Sequence, residues 1–168
     1  LAIPDAIAEL NREARASADP IIAAGGVPAG DPYLASSLAR VNELCERVNE
    51  HVHATVQRLL AADKLVGLIG GDHATPFGAI RAHAERYPGM GVLHVDAHAD
   101  LRDAYEGFTW SHASIMHNVI TRLPDVGRLV QVGIRDFSAG ELAFQRAHAS
   151  RIRCHFDADL ARARLEGQ

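Results

Sequence analysis

Several residue types that mark common protein classes are scarce in this sequence. The sequence has a single lysine and a formal net charge of −4, so it lacks the basic character that binding to nucleic acid or an anionic membrane requires. The two cysteines lack zinc-knuckle or Cys-x-x-Cys spacing, so we interpret them as reduced thiols. The longest apolar runs, residues 65–71 and 90–95, are too short to span a bilayer, and no signal peptide is visible. We expect a cytoplasmic protein that binds neither nucleic acid nor membrane.

Strand-like and helix-like patterns alternate along the chain, whose 168 residues suit one domain covering 1–168. Strand-type apolar runs occupy residues 65–69, 90–95, 129–132 and 152–156. Helical patterns occupy residues 1–15, 33–62, 76–87, 111–122 and 138–148, with a stub from residue 158. Residues 16–31 are loop-like, although Ile21 and Ile22 could form a short strand. Asp31 is the predicted N-cap of the second helix. This alternation predicts a three-layer α/β/α domain with a mainly parallel sheet.

Ten histidines are a high count for this length, and two of them lie in Asp/His motifs after predicted strands. His73 ends a Gly-Gly-Asp-His motif, while Asp96, His98 and Asp100 alternate after the second strand. If the extended conformation continues through Asp100, these three side chains share one face at a spacing of about 6–7 Å. Polar clusters at strand carboxyl ends form sites in parallel sheets, and this donor set favours Mn, Fe, Ni or Zn. We therefore predict a divalent-metal site.

Two further residues of this region, Asp72 and His94, are interpreted primarily as residues that do not bind the metal. Asp72 is expected to orient His73 or to cap the next turn, although it is also a possible ligand. His94 shares the ligand face by its spacing but lies one residue pair deeper in the strand. We interpret His94 as a buried, hydrogen-bonded core histidine.

Four motifs stand out along the chain: Gly-Gly-Asp-His at 70–73, Asp-Ala-His-Ala-Asp at 96–100, Ser-His-Ala-Ser at 111–114 and Gln-Val-Gly-Ile-Arg at 131–135. Together they resemble the ureohydrolase family of arginases and agmatinases. The resemblance runs from about residue 65 to the C-terminus and is most agmatinase-like, since no arginase-type Asn-containing loop follows Asp100. It implies an arginase-like fold, a homo-oligomer, a small guanidino substrate and two Mn²⁺ ions.

The resemblance also implies roles for individual residues. His73 and Asp100 would bind one manganese ion, His98 the other, and Asp96 would bridge both. A metal-bridging hydroxide would then attack the guanidino carbon and release urea and an amine. His112 matches the family's loop histidine and would act in general acid–base catalysis, so it is counted with Asp100 as catalytic. The alternative for His112 is a histidine at a helix N-terminus with no chemical role.

The sequence departs from the family pattern near its end. The family completes its metal site with a second Asp-x-Asp pair inside a Ser-x-Asp-x-Asp-x-x-Asp-Pro run, which this sequence lacks. Asp157 and Asp159 imitate the pair, but we interpret Asp157 as a helix N-cap and Asp159 as a first-turn acid. We expect C-terminal strands of the family fold to be missing. The alternative function is an inactive metal-binding or partner-binding fragment.

Overall fold

A parallel sheet organises the part of the chain that the computed structural model describes, residues 4–167. Its strands are β1 (Gly91–Val95), β2 (Arg128–Ile134) and β3 (Ile152–Phe156), in the order β1-β2-β3. Leu93 of β1 lies opposite Val130 of β2, and both pairings of β2 are parallel. The α/β class with a parallel sheet is thus confirmed, as are the positions of these three strands.

Six α-helices and one 3₁₀ turn accompany the sheet within residues 4–167. They are α1 (Asp5–Ala23), α2 (Pro32–Ala61), α3 (Phe77–Arg86), the 3₁₀ turn (His112–Ser114), α4 (Ile115–Arg122), α5 (Ala139–Ala147) and α6 (Asp157–Leu165). The long helices α1 and α2 pack together, and α2 packs on α3. Over this span, none of the helices combines the length and the apolar character that crossing a membrane requires.

Two helix starts show why the local sequence predicts them well. The side chain of Asp31 accepts a hydrogen bond of 2.9 Å from the backbone N–H of Leu34, which caps α2 as predicted. At α5, the hydroxyl of Ser138 accepts from the N–H of Glu141, and the Glu141 carboxylate accepts from the N–H of Ser138. Each cap satisfies otherwise unpaired donors with a side chain close in sequence.

The core lies on one face of the sheet. Leu129 and Ile134 of β2 are 0% and 1% exposed and belong to one cluster with Val119 and Ile120 of α4. Side chains of α3 and α5 pack against the same cluster. Burying such side chains stabilises the fold by about 1.5–3 kcal/mol each. This packed core therefore supports the strands and the segments that follow their carboxyl ends.

The opposite face of β1 is open. Leu93 and Val95 alternate with the buried His94 and are 69% and 73% exposed. Nothing in residues 4–167 covers this part of the sheet, so two strand-type apolar side chains contact solvent. In the described structure, β1 is also an edge strand that pairs only with β2.

The predicted loop at residues 16–31 is wrong in its first part. Helix α1 continues to Ala23 and contains Pro20, which normally disfavours a helix interior. Continuing the helix leaves Ile21 fully buried, and this packing offsets the lost backbone hydrogen bond. The chain turns just afterwards at Gly25 and Gly26, which have positive φ. The prediction for residues 1–3 lies outside the described residues.

The predicted buried strand at residues 65–69 is also wrong. These residues have no regular structure, and Leu65 and Ile69 are both fully exposed. A strand is stabilised by a hydrogen-bonded neighbour and by burial of a face. No neighbour pairs with this segment in the described part of the chain, so its strand-type sequence forms no strand and is exposed along most of its length.

Candidate metal centre

Four ligand-type side chains converge beside the carboxyl end of β1. They belong to His73, His94, Asp96 and Asp100, and one ligand atom of each lies within 4.8 Å of the others. His94 is inside β1, the two aspartates follow it, and His73 comes from the segment before α3. Three of the four predicted ligands, His73, Asp96 and Asp100, are therefore together at the expected edge of the sheet.

The separations within this group suit a bound cation. Nδ1 of His73 lies 2.6 Å from Oδ2 of Asp100 and 3.4 Å from Oδ2 of Asp96. Neighbouring ligands of one octahedral ion with bonds of about 2.1 Å are about 3 Å apart. Nitrogen and oxygen donors without sulfur match Mn²⁺, Fe²⁺ or Zn²⁺. The residues present thus fit one divalent ion in both spacing and donor type.

Asp100 is held in an unusual backbone conformation. Its φ is 53°, in the left-handed region, which Asp tolerates better than most residues. The carbonyl of Asp100 accepts hydrogen bonds from the N–H groups of Met116 and His117 in α4, at 3.0 and 3.2 Å. The next N–H, that of Leu101, donates to the buried carboxylate of Glu141 at 3.1 Å. Helices α4 and α5 therefore hold the backbone of Asp100, whose carboxylate lies beside His73.

The chain does not stay extended through Asp100, the condition on which the shared face of Asp96, His98 and Asp100 depended, and the turn after β1 explains why. The strand ends at Val95, and Oδ1 of Asp96 accepts a hydrogen bond of 3.0 Å from the N–H of His98. Such a side-chain bond to the backbone two residues on bends the chain. Regular alternation of side chains is therefore lost at this point.

His98, the fourth predicted ligand, lies beside the convergent group but not within it. Its side chain is 61% exposed, with Nδ1 3.4 Å from Oδ1 of Asp96. Its Nε2 lies 3.8 Å from a carboxylate oxygen of Asp136. His73 contacts Oδ2 of Asp96, and His98 approaches Oδ1. The two imidazoles therefore flank the two oxygens of one carboxylate.

His94 takes a place in the group that the sequence alone did not assign to it. It is 4% exposed and hydrogen-bonded, as expected, and its Nε2 lies 3.2 Å from Oδ2 of Asp96. Its ring centroid is 5.1 Å from that of His73. The available signal was its spacing of two residues from Asp96, which places both side chains on one face.

The pKa values of the two histidines in this group shift in opposite directions. The hydrogen bond with Asp100 raises the pKa of His73 and outweighs burial, which lowers it. Burial raises the pKa of Asp96, but hydrogen bonds from the His98 N–H and from His94 outweigh it, so the net shift is downward. Burial lowers the pKa of His94. The site therefore places two carboxylates beside one imidazole that favours its protonated form, His73, and one that favours its neutral form, His94.

The remaining candidates lie outside the convergent group. His112 begins the 3₁₀ turn and is exposed, with its ring 5.9 Å from that of Tyr105. Asp72 accepts a hydrogen bond of 2.8 Å from the N–H of Ala74, which agrees with the predicted turn-capping role. The side chain of Thr75 donates to the Asp72 carbonyl in the same turn. This turn holds His73 in place.

Asp157 and Asp159 are exposed first-turn residues of α6. The helix begins at Asp157 and its N-cap is Phe156, so the predicted N-cap role of Asp157 is wrong by one position. Both carboxylates lie where the helix dipole favours negative charge. Within residues 4–167 neither belongs to a group of three or more metal-binding side chains.

The fold and this site together define a parallel α/β protein with a His/Asp group that could hold a metal ion at a strand carboxyl end. The chain belongs to the arginase family, whose family model matches residues 4–167.

Individual relatives and solved structures agree with the family assignment. The N(1)-aminopropylagmatine ureohydrolase of Thermus thermophilus is 35% identical over 115 residues, which cover 68% of this chain and 38% of the relative. The proclavaminate amidinohydrolase of Streptomyces clavuligerus is 35% identical over 97 residues, covering 56% of this chain and 31% of the relative. The arginase structure from Medicago truncatula superposes with a TM-score of 0.63 at 27% identity, covering 76% of this chain and 41% of that one. The matched parts of the chain thus cover 31–41% of the length of these proteins.

Proposed function

We propose that this chain carries the metal-binding part of a hydrolase that cleaves a guanidino group into urea and an amine. The observation that carries the proposal is the convergence of His73, Asp96 and Asp100 in a member of the arginase family. Relatives that it matches are named as a ureohydrolase and an amidinohydrolase. The proposed substrate is a small guanidino compound such as agmatine, and the proposed assembly is a homo-oligomer.

The proposed metal sites share one carboxylate. His73, Asp100 and Oδ2 of Asp96 would hold the first ion, which their separations fit. His98 and Oδ1 of Asp96 would contribute to the second, since they lie 3.4 Å apart on the other side of that carboxylate. A pair of Mn²⁺ ions is the proposed occupant, because mixed imidazole and carboxylate donors suit manganese.

The chemistry divides between the ions and the protein. Bound divalent ions lower the pKa of water into the neutral range and so supply a nucleophile. Asp96 and Asp100 provide the negative charge that would hold the ions. His112 is the proposed proton carrier to the leaving amine, a role that suits an imidazole exposed to solvent.

A second candidate function is metal binding without turnover. The observation that favours it is the sparse second site, where among residues 4–167 only His98 and Asp96 offer donor atoms beside each other. Asp136 is the nearest further carboxylate to His98, at 3.8 Å, and it is exposed. Under this alternative the chain binds one ion firmly but does not hydrolyse a guanidino compound.

The test measures manganese content and urea release from agmatine and from arginine, using the chain reconstituted with Mn²⁺. Asp100→Asn removes a charged ligand from the buried side of the site, and Asp72→Asn is the matched control in the neighbouring motif. We expect Asp100→Asn to lose bound manganese and urea release, and Asp72→Asn to keep both.

Other outcomes separate the two functions. Manganese binding without urea release from either compound favours the second candidate. Equal manganese content in the wild type and Asp100→Asn contradicts both candidates, because each requires this carboxylate as a ligand.

A further inference from the structure

A buried hydrogen-bond chain runs from β2 to the metal centre. The side-chain amide of Gln131, which is 0% exposed, lies 2.7 Å from the carbonyl oxygen of Ala99 through its Nε2 atom. The same Nε2 atom lies 3.0 Å from Nδ1 of His94. On the other side of the ring, Nε2 of His94 lies 3.2 Å from Oδ2 of Asp96. Gln131, His94 and Asp96 are therefore connected in series.

The donors and acceptors in this chain have only one consistent arrangement. A backbone carbonyl only accepts, so the Gln131 atom facing Ala99 must be the amide nitrogen; reversing the amide would put two oxygens 2.7 Å apart. The second hydrogen of that amide points to Nδ1 of His94, which must accept it. The imidazole of His94 therefore carries its proton on Nε2 and donates it to Asp96.

This tautomer excludes His94 from the ligand set, although its atom converges with the others. A metal ligand must offer a lone pair, and a protonated Nε2 has none. We propose that His94 is a positioning residue: its Nε2–H holds Oδ2 of Asp96 toward His73, and Gln131 locks His94 in the required tautomer. The proposal rests on the proposed function only in taking Asp96 as a ligand.

With this role for His94, the convergent group consists of three ligands and one positioning residue. Three of the four convergent side chains, those of His73, Asp96 and Asp100, would bind the first ion, and the fourth fixes the orientation of the shared carboxylate. Partners that orient ligands typically contribute about 10-fold to 100-fold in metal affinity. Because Asp96 lies between His73 and His98, its orientation governs both proposed ions.

The direct test is the tautomer of His94, observed by long-range ¹H–¹⁵N correlation on histidine-labelled protein without metal and then with Zn²⁺ as a diamagnetic probe. The signal is assigned by its loss in His94→Gln. We expect His94 to show a protonated Nε2 in both states, while His73 shifts on adding Zn²⁺. A proton on Nδ1, or a His94 Nε2 that becomes zinc-coordinated, would overturn the proposal.

Two variants test the consequence for metal binding. His94→Leu removes the donor to Asp96, whereas His94→Gln places an amide N–H in a comparable position. We expect Mn²⁺ affinity to fall about 10-fold to 100-fold in His94→Leu and to recover largely in His94→Gln, with circular dichroism confirming that both fold. Equal losses in both folded variants would contradict a positioning role.

The experiments distinguish a failure of the proposed function from a failure of the positioning role of His94. If the wild-type chain binds neither Zn²⁺ nor Mn²⁺ but His94 keeps its proton on Nε2, the proposed function fails and the hydrogen-bond assignment stands. If the chain binds metal and His94 has its proton on Nδ1, the positioning role fails and the metal site stands.

Discussion

Two segments of this chain share one sequence pattern but differ completely in structure. Residues 65–69 and 91–95 are both apolar and strand-like, and each runs into an Asp/His motif. The second forms β1, pairs with β2 and buries His94, whereas the first is solvent-exposed along most of its length. The difference shows that a strand-type sequence is realised only where a neighbouring strand supplies hydrogen bonds and a packed face.

The largest expected difference between the two regions is in amide hydrogen exchange. Ladder amides of β2 should exchange only through opening that approaches global unfolding, about 5–15 kcal/mol for ordinary domains. Amides of residues 65–69 should exchange at nearly unprotected rates, because they have no ladder. Exchange measured by NMR at residue resolution checks this contrast. Strong protection in residues 65–69 would show that the segment is paired in solution.

A pair of leucine truncations tests the same contrast through stability. Leu129→Ala removes a side chain that is 0% exposed and should lower the free energy of unfolding by about 2–5 kcal/mol. Leu65→Ala removes a fully exposed side chain and should change it by less than about 0.5 kcal/mol. Urea denaturation of both variants against the wild type gives these values. A large loss in Leu65→Ala would place this side chain in a core.

A smaller loss of stability is expected when the side chains that anchor the two Asp/His motifs are truncated. Glu141→Ala leaves the N–H groups of Leu101 and Ser138 without their acceptor and should cost about 1–3 kcal/mol. Asp72→Ala removes an exposed turn cap in the other motif and should cost less than about 1 kcal/mol. Thermal unfolding of both variants checks that Glu141→Ala loses more stability than Asp72→Ala. Glu141→Gln keeps an acceptor oxygen and should lose less stability than Glu141→Ala.

The smallest predicted effect is on the pH dependence of stability. Burial, assisted by the nearby positive groups of His148 and Arg122, lowers the pKa of His117, although Asp103 opposes the shift. The unfolded chain therefore takes up a proton first, and this contribution to stability is lost as the pH falls below about 6.5. In His117→Gln the decrease in stability below that pH should be shallower, as measured by urea denaturation at several pH values. An unchanged slope would contradict the shift.

Much of the architecture was predictable because its causes are local. The strand at residues 152–156 coincides with β3, and Asp31 caps α2 as predicted, since a cap depends on side chains within three residues. The extension of α1 through Pro20 was not predictable, because it depends on the burial of Ile21. The one-residue error at Asp157 reflects the same limit, since strand and helix boundaries depend on distant packing.

The sequence by itself determined the parallel α/β class, the family and the edge of the sheet where His73, Asp96 and Asp100 meet. Only the tertiary structure decided that residues 65–69 remain unpaired and that His98 turns outward. The physical reason is that periodicity encodes which face a residue prefers, whereas partners and side-chain directions depend on hydrogen bonds to other elements. The Gln131 amide, 37 residues from His94 in sequence, is such a partner.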